Sequence, residues 1–455
     1  MFSIRIRSFN SLSTPINKIR HSFSHNISSL PSLSAASVPY PIPRDPSSRP
    51  LPPHQEVMWK LDWSASHIHA RVMMMIKLSN LDAAADQARL TVLAARGRSL
   101  SSVTATGTCD AIIGAMCSEG RYSDAFDYFH YFFNESNLKP NISCCNHIIG
   151  ALCHDHEGGV DEAIRFYRHL LVKSPFHPNE ETYSLLAKGL VDTGRVKEAE
   201  DLIMEVMSSE AEFQLSPLVF NHLIRGFLDQ GKLETAIEVF KDLKQRVVSS
   251  IDDEVSDLIH FIIDEDYNGI AMVNATFIDY WFKQGNDSEA TKCYTSLLGK
   301  KFIMDANTGN TLLRILLNHG KKTEAWALFD RMLAKRDRHP VQFDAETCNI
   351  MVNECFRNSR FNEAVDTFQR VVTTINGSQL CYRNIISRFC EQGMLSEAEN
   401  FFEDMCSKQF IIPDIPTYRL LLDAYANAAR FDDAVRMVNL TVDANLKCIA
   451  KFCPL

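Results

Sequence analysis

The sequence predicts an all-α fold, a right-handed α-solenoid of stacked helical hairpins. Three observations lead there: a ten-residue shape recurs nine times, its spacing stays in the thirties with one exception, and one position in it is alanine every time. The shape is plainest in GKLETAIEVF (231–240). It returns as GRYSDAFDYF (120–129), GGVDEAIRFY (158–167), GRVKEAEDLI (194–203), GNDSEATKCY (285–294), GKKTEAWALF (320–329), SRFNEAVDTF (359–368), GMLSEAENFF (393–402) and ARFDDAVRMV (429–438). A fixed period of this length is the mark of a repeat array, in which each unit packs on its neighbours and length follows repeat number.

Taken in order, residues 1–44 differ from everything after them. They hold Arg5, Arg7, Lys18, Arg20 and Arg44, eleven serines and no acid. An Arg-rich, Ser-rich, acid-free start is the composition of an organellar transit peptide. Residues 45–63 continue a Pro-rich stretch, PYPIPRDPSSRPLPP (39–53), and are expected to be an extended linker. A degenerate helical unit is expected over 64–105, around SNLDAAADQARL (79–90), and about nine regular units over 106–450. The chain ends at KFCPL, residues 451–455.

Within a unit, each position has a physical reason. The leading residue, usually Gly, suits the left-handed turn that ends the preceding helix. The third position is mostly apolar (Tyr122, Val160, Leu233, Phe361) and suits a hydrophobic staple. The fourth is an N-cap type in seven of nine units, Ser123, Asp161, Ser288, Thr323, Asn362, Ser396 and Asp432, so the second helix is expected to be capped there. The fifth is acidic in eight of nine, which opposes the positive end of the helix dipole. The invariant sixth alanine, Ala125 through Ala434, requires that another backbone pass close by. Upstream of each turn lies a second apolar-periodic stretch, such as YSLLAKGLVDTG (183–194), which makes the unit a hairpin. The one long gap, between Ala236 and Ala290, holds SIDDEVSDLIHFIIDEDY, an acidic insertion near 250–270 with seven acids and no Lys or Arg.

Composition then excludes several functions. The net charge is −9, and −14 once the five basic residues of the leader are removed, so bulk attraction to a polyanion is excluded and any nucleic-acid binding must rest on local chemistry. No apolar run reaches the ~18 residues of a membrane-spanning helix, and no membrane partner is expected. The thirteen cysteines never form C-x-x-C, which argues against a zinc ribbon or disulfide framework and suits a reducing compartment. CHDHE (153–157) gathers metal-ligand types without supporting spacing, so no metal is assigned. The H-x-E and P-C-x-x-C pair of zinc deaminases is missing, as is a glycine-rich phosphate loop; no catalytic residue and no cofactor are assigned.

Punctuation between hairpins separates the two main architectures of this period. Pro-Asn or Pro-Asp closes units in LKPN (138–141), HPN (177–179) and IIPD (411–414), and T-Y opens the next in ETYSLL (181–186) and PTYRLL (416–421). In these features the chain resembles the plant pentatricopeptide repeat family, in its pure class without catalytic extension. VNATFIDYWFKQGNDSEA (273–290) and FCEQGMLSEAE (389–399) are similar to an organelle-targeted, embryo-essential subgroup.

The resemblance implies one RNA base per repeat, read by the fifth residue of the first helix and the last residue before the next unit. Carried across, it assigns Asp110 with Asn141, Asn146 with Asn179, Ser184 with Ser216, and Asn221 with a partner lost in the insertion. It continues with Ala275 and Asp305, Asn310 and Asp344, Asn349 and Ser378, Arg383 and Asp414, and finally Arg419. Asn310/Asp344 resembles the uridine pair, Asn349/Ser378 the cytidine pair and Asn146/Asn179 a pyrimidine pair; Asp110, Ala275, Arg383 and Arg419 depart from the pattern. The implied function is sequence-selective binding of single-stranded organellar RNA in the mitochondrion (alternatively the chloroplast), aiding processing, splicing, editing or stability, with other RNA-processing proteins as further partners. The alternative, favoured by the acidic charge, is a protein-interaction scaffold in an organellar RNA-processing or expression complex.

Overall fold

The computed structural model describes residues 65–94, 99–136, 138–155, 158–173, 176–208, 215–249, 258–299, 304–334, 343–374, 378–408 and 411–452; the expected leader and linker lie outside them. Among these residues there are twenty α-helices and no strand. They pair in ten hairpins: α1 (Ala65–Lys77) with α2 (Leu81–Ala94), α3 (Ser99–Ser118) with α4 (Tyr122–Phe129), and α5 (Ile142–Asp155) with α6 (Gly159–Lys173). Next come α7 (Glu180–Asp192) with α8 (Val196–Ser208), α9 (Pro217–Asp229) with α10 (Leu233–Ser249), and α11 (Leu258–Lys283) with α12 (Asp287–Leu298). The last four are α13 (Ala306–Asn318) with α14 (Lys322–Leu333), α15 (Ala345–Arg357) with α16 (Phe361–Val372), α17 (Gln379–Glu391) with α18 (Leu395–Ser407), and α19 (Ile415–Asn427) with α20 (Phe431–Phe452). The degenerate unit is itself a hairpin, α1/α2, and α3 starts ahead of the expected boundary at 106.

The repeated alanine behaves as its size requires. Ala125, Ala163, Ala199, Ala236, Ala290, Ala325, Ala364 and Ala398 are fully buried, and so is Ala84 in the first hairpin. First helices pack on first helices from one hairpin to the next, whereas each second helix packs on its own partner and most also touch the following first helix. Close approach along one row and looser approach along the other curve the stack, with the first helices on the inner wall.

The turns are left-handed where expected: Gly120, Gly194, Gly231, Gly285, Gly320 and Gly393 have φ between 71° and 77°. Ser359 and Ala429 take the same conformation in the two units without glycine, as does Ser79 in the first hairpin. The residue after the turn then donates its amide five residues back, as in Arg121 to Met116 O (2.9 Å), Lys232 to Phe227 O (2.8 Å) and Arg360 to Cys355 O (2.9 Å). This is the Schellman closure of the first helix.

The capping expectation for second helices is corrected by two residues. The N-cap is the second position of the unit, Arg121, Asn286, Lys321, Arg360 or Met394, and of these only Asn286 caps with its side chain. Ser123, Thr323, Asn362 and Ser396 therefore lie inside the first turn, and the apolar third position is the first helical residue rather than a staple. The physical reason is economy of turn: one residue both closes the first helix and caps the second. Where that residue is arginine, its side chain reaches the acid three residues on and often an acid of the hairpin before. Arg121 meets Asp124 and Asp82 (both 2.6 Å), and Arg195 meets Glu198 (2.7 Å) and Asp161 (2.6 Å). Arg430 meets Asp433 (2.6 Å) and Glu399 (2.7 Å) in the same way. These pairs are part-exposed and solvent-screened, so they set register more than stability.

The acidic insertion is not a separate element from residue 258 onward. It forms the start of α11, a 26-residue helix where the other inner-wall helices from α5 on have 13 or 14. Residues 250–257 lie outside the described set. Gly269 lets α11 cross α9 at close range, since a Cβ there would sit 2.6 Å from Pro217. Among the described residues no helix is long and apolar enough to cross a membrane.

Candidate nucleic-acid interface

The assigned residues fall at the edge of the inner wall, and the second member of each pair has a structural task that sequence reasoning missed. It is the N-cap of the next first helix. Asn141 accepts from the Cys144 amide (2.8 Å), Asn179 from Thr182 (3.1 Å), Ser216 from Leu218 (3.2 Å) and Asp305 from Thr308 (2.8 Å). Asp344 accepts from Thr347 (2.9 Å) and Asp414 from Thr417 (3.0 Å). Only Ser378 makes no capping bond. An Asn, Asp or Ser at the close of a unit is thus required by helix chemistry before any ligand is considered.

The helix-fifth residues bridge back to those caps. Asn310 Nδ2 donates to Asp344 Oδ1 at 3.0 Å, and Asn310 Oδ1 accepts the Thr347 hydroxyl at 2.6 Å. Burial pushes the Asp344 carboxyl up, but the Thr347 amide and the Asn310 side chain outweigh it and hold the group below its ordinary value, so it is an anion at neutral pH. Asn310 is only 1% exposed, whereas Asp344 is exposed. Among the described residues the pair therefore offers a surface carboxylate with one unspent amide N–H behind it, a donor and an acceptor side by side.

Asn146 with Asn179 has the same design but less spare capacity. Its Nδ2 donates to both Asn179 (3.0 Å) and Glu181 (2.9 Å), and its Oδ1 accepts from Thr182 (2.8 Å). Glu181, one of the two acids in the first turn of α7, spends the N–H that Asn310 retains. Asn349 is open: among the described residues its Oδ1 is buried without a hydrogen-bond partner, while Ser378 bonds the Cys381 thiol.

Elsewhere two assigned pairs also meet, Asp110 with Asn141 and Arg383 with Asp414, while the others find different partners. Asn141 donates to Asp110 (3.1 Å), whose other oxygen faces His147 (3.5 Å). Ser184 does not meet Ser216 but bonds His222 at 3.1 Å; burial and then Arg225 and Lys188 lower the imidazole to about 4, leaving it neutral. Asn221 does find a partner across the insertion, the Thr276 hydroxyl at 2.7 Å, reached because α11 runs past it as continuous helix. Ala275 is fully buried and presents nothing to the face. Its place opposite Asp305 is taken by Asn268, two turns earlier in α11, whose Oδ1 accepts the Asp305 amide at 2.9 Å. Arg383 is spent on Asp414 at 2.8 Å, and Asp414 is buried, so this pair is an internal ion pair rather than a free cation. Arg419 is exposed. Two further exposed side chains share this face, Leu218 and Leu380, each three residues before a helix-fifth position. They provide apolar surface on which a base can lie.

His154 of the CHDHE stretch approaches Lys188 at 3.1 Å, and residues 156–157 lie outside the described set. The buried cysteines are inert core: burial pushes the Cys109 and Cys145 thiols up to about 12.

A family model described as "PPR repeat" matches residues 107–132, 181–210, 218–247, 310–336 and 346–373, and one described as "PPR repeat family" matches 378–427. A mitochondrial pentatricopeptide repeat-containing protein of Arabidopsis thaliana is 36% identical over 397 residues, covering 86% of this chain and 93% of that protein. A second Arabidopsis thaliana pentatricopeptide repeat-containing protein is 44% identical over 137 residues, which are 28% of this chain and 15% of that one. Among solved structures, the maize pentatricopeptide repeat protein PPR10 is similar at 17% identity and a TM-score of 0.35. That match covers 85% of this chain, which spans about half (53%) of the maize chain.

Proposed function

Because the chain belongs to the pentatricopeptide repeat family, we propose that it binds single-stranded RNA along the inner wall, in an organelle, and thereby aids the processing, splicing, editing or stability of a transcript. The observation that carries this is the succession of Asn310/Asp344 and Asn349/Ser378. Consecutive inner-wall helices α13 and α15 place polar side chains at the same register, with hydrogen-bonding capacity left over. Regular spacing of such pairs suits a polymer with one recognisable edge per residue, and a strand needs no enzyme chemistry from the wall that holds it. The acidic chain binds by these contacts rather than by bulk charge, so affinity depends only modestly on salt. Mitochondrial import is favoured by the acid-free, arginine-bearing leader and is checked by the destination of a fusion of residues 1–50 to a fluorescent protein.

The test uses Asn310. Asn310→Ala lowers affinity by about 1–2 kcal/mol, concentrated on oligomers with uridine opposite that hairpin, the ordinary worth of a hydrogen bond in such a site. Asn310→Thr, keeping Asp344, shifts preference toward a purine. Equal binding of uridine- and purine-substituted oligomers by all three proteins would instead favour the scaffold reading.

A further inference from the structure

The stack turns far enough for its ends to touch. α1 packs against α20, and the turn after α1 meets the starts of α17 and α19. Two orphan groups find each other there. The last carbonyls of a helix and its first amides lack partners within the helix. At the end of α1, Leu78 O accepts the Ile415 amide at 3.1 Å, and Lys77 O accepts Gln379 Nε2 at 3.3 Å.

Counting the first turn of α19 shows how specific this is. The Thr417 amide goes to Asp414 Oδ1 and the Tyr418 amide to Asp414 O, while Pro416 has no N–H. Ile415 is the one remaining donor, and it crosses the seam. The equivalent amides of Ala306 and Ala345, in α13 and α15, make no bond among the described residues. The negative end of the α1 dipole thus meets the positive end of α19. Beside the contact lies a cavity of about 740 Å³, walled by Ser79 and Asn80 on one side and by Asn349, Arg383 and Arg419 on the other. The seam therefore closes over the part of the inner wall that carries the open Asn349.

We infer that the first hairpin latches onto the last ones, closing the inner wall into a ring that admits RNA strands with a free end and holds back circular RNA of the same sequence. Selection by ends rests on the RNA reading above; the latch itself does not. Hydrogen exchange on the full chain, resolved to single residues, tests the latch: the Ile415 amide exchanges slowly while those of Ala306 and Ala345 exchange fast. Comparable rates for the three overturn it. Ile415→Pro removes that N–H at a helix position proline favours, after a residue already extended (Asp414, φ −91°, ψ 168°). Ile415→Ala keeps the N–H and removes only the side chain.

With matched linear and circular oligoribonucleotides, the wild type and Ile415→Ala associate with the circle more slowly than with the linear strand. Ile415→Pro speeds circle association about fivefold, the worth of one hydrogen bond, and leaves the linear rate unchanged. Equal rates for the two forms with a protected Ile415 amide overturn selection by ends. Should neither RNA bind, the RNA reading fails and selection with it, while the exchange pattern alone still decides the latch.

Discussion

Thr347→Val separates the architecture of the reading pair from its contact with RNA. The hydroxyl of Thr347 is fully buried and donates to Asn310 Oδ1 at 2.6 Å, while the Thr347 amide separately caps onto Asp344. Valine has nearly the same shape and keeps the amide, so what is lost is the hydroxyl, with its bond to Asn310 and its acceptance of the Asp344 amide (3.2 Å). Asn310 is 1% exposed, and its carbonyl is left without a donor in a place water does not reach. An unsatisfied buried acceptor costs about 1–3 kcal/mol. Urea unfolding followed by circular dichroism should show a loss in that range, and Thr347→Ser should recover most of it. RNA selectivity opposite this hairpin should weaken as well, because the freed Asn310 amide no longer has one orientation. A Thr347→Val protein within about 0.5 kcal/mol of wild type, the scatter of neutral surface substitutions, would refute the argument that this hydroxyl fixes Asn310.

Ala236→Leu adds three carbons at a fully buried helix contact and should destabilise by about 1–3 kcal/mol, read in the same unfolding assay. Gly320 has φ 73° with open space where a Cβ would stand, so Gly320→Ala should lose about 1–2 kcal/mol through backbone strain alone. Ser359→Gly, at φ 54°, should gain about 1 kcal/mol for the same reason. His222 supplies a pH test. Its native value is lowered to about 4 from the ordinary 6.5, so between those values the unfolded chain binds a proton that the native chain does not. Its contribution to stability is complete above about pH 6.5 and falls as pH drops toward 4; His222→Gln should flatten that slope in urea midpoints measured across the interval.

What the sequence determined by itself is whatever depends on neighbours along the chain. The left-handed turns at Gly194 or Gly231, the hairpin period and the buried alanines follow from backbone freedom and side-chain volume, and each is present wherever the residues call for it. Local pattern also located the caps of the first helices, though it assigned them to a ligand and not to the Thr182 or Thr347 amide they also hold. It misplaced the second-helix caps because Arg121 and Lys321 are poor cap types in isolation. Only the closing turn, which spends their amides on the helix behind, makes them caps.

Tertiary structure decided everything that needs two hairpins at once. Whether an Asn is open or spent depends on a residue of the next unit: Glu181 occupies Asn146, while among the described residues nothing equivalent occupies the second N–H of Asn310. Asn268 replaces Ala275 opposite Asp305 because α11 is lengthened and shifts which turn faces the cap. The meeting of Leu78 with Ile415 lies furthest from local pattern. It arises from the summed rotation of ten hairpins, a quantity that no single unit encodes.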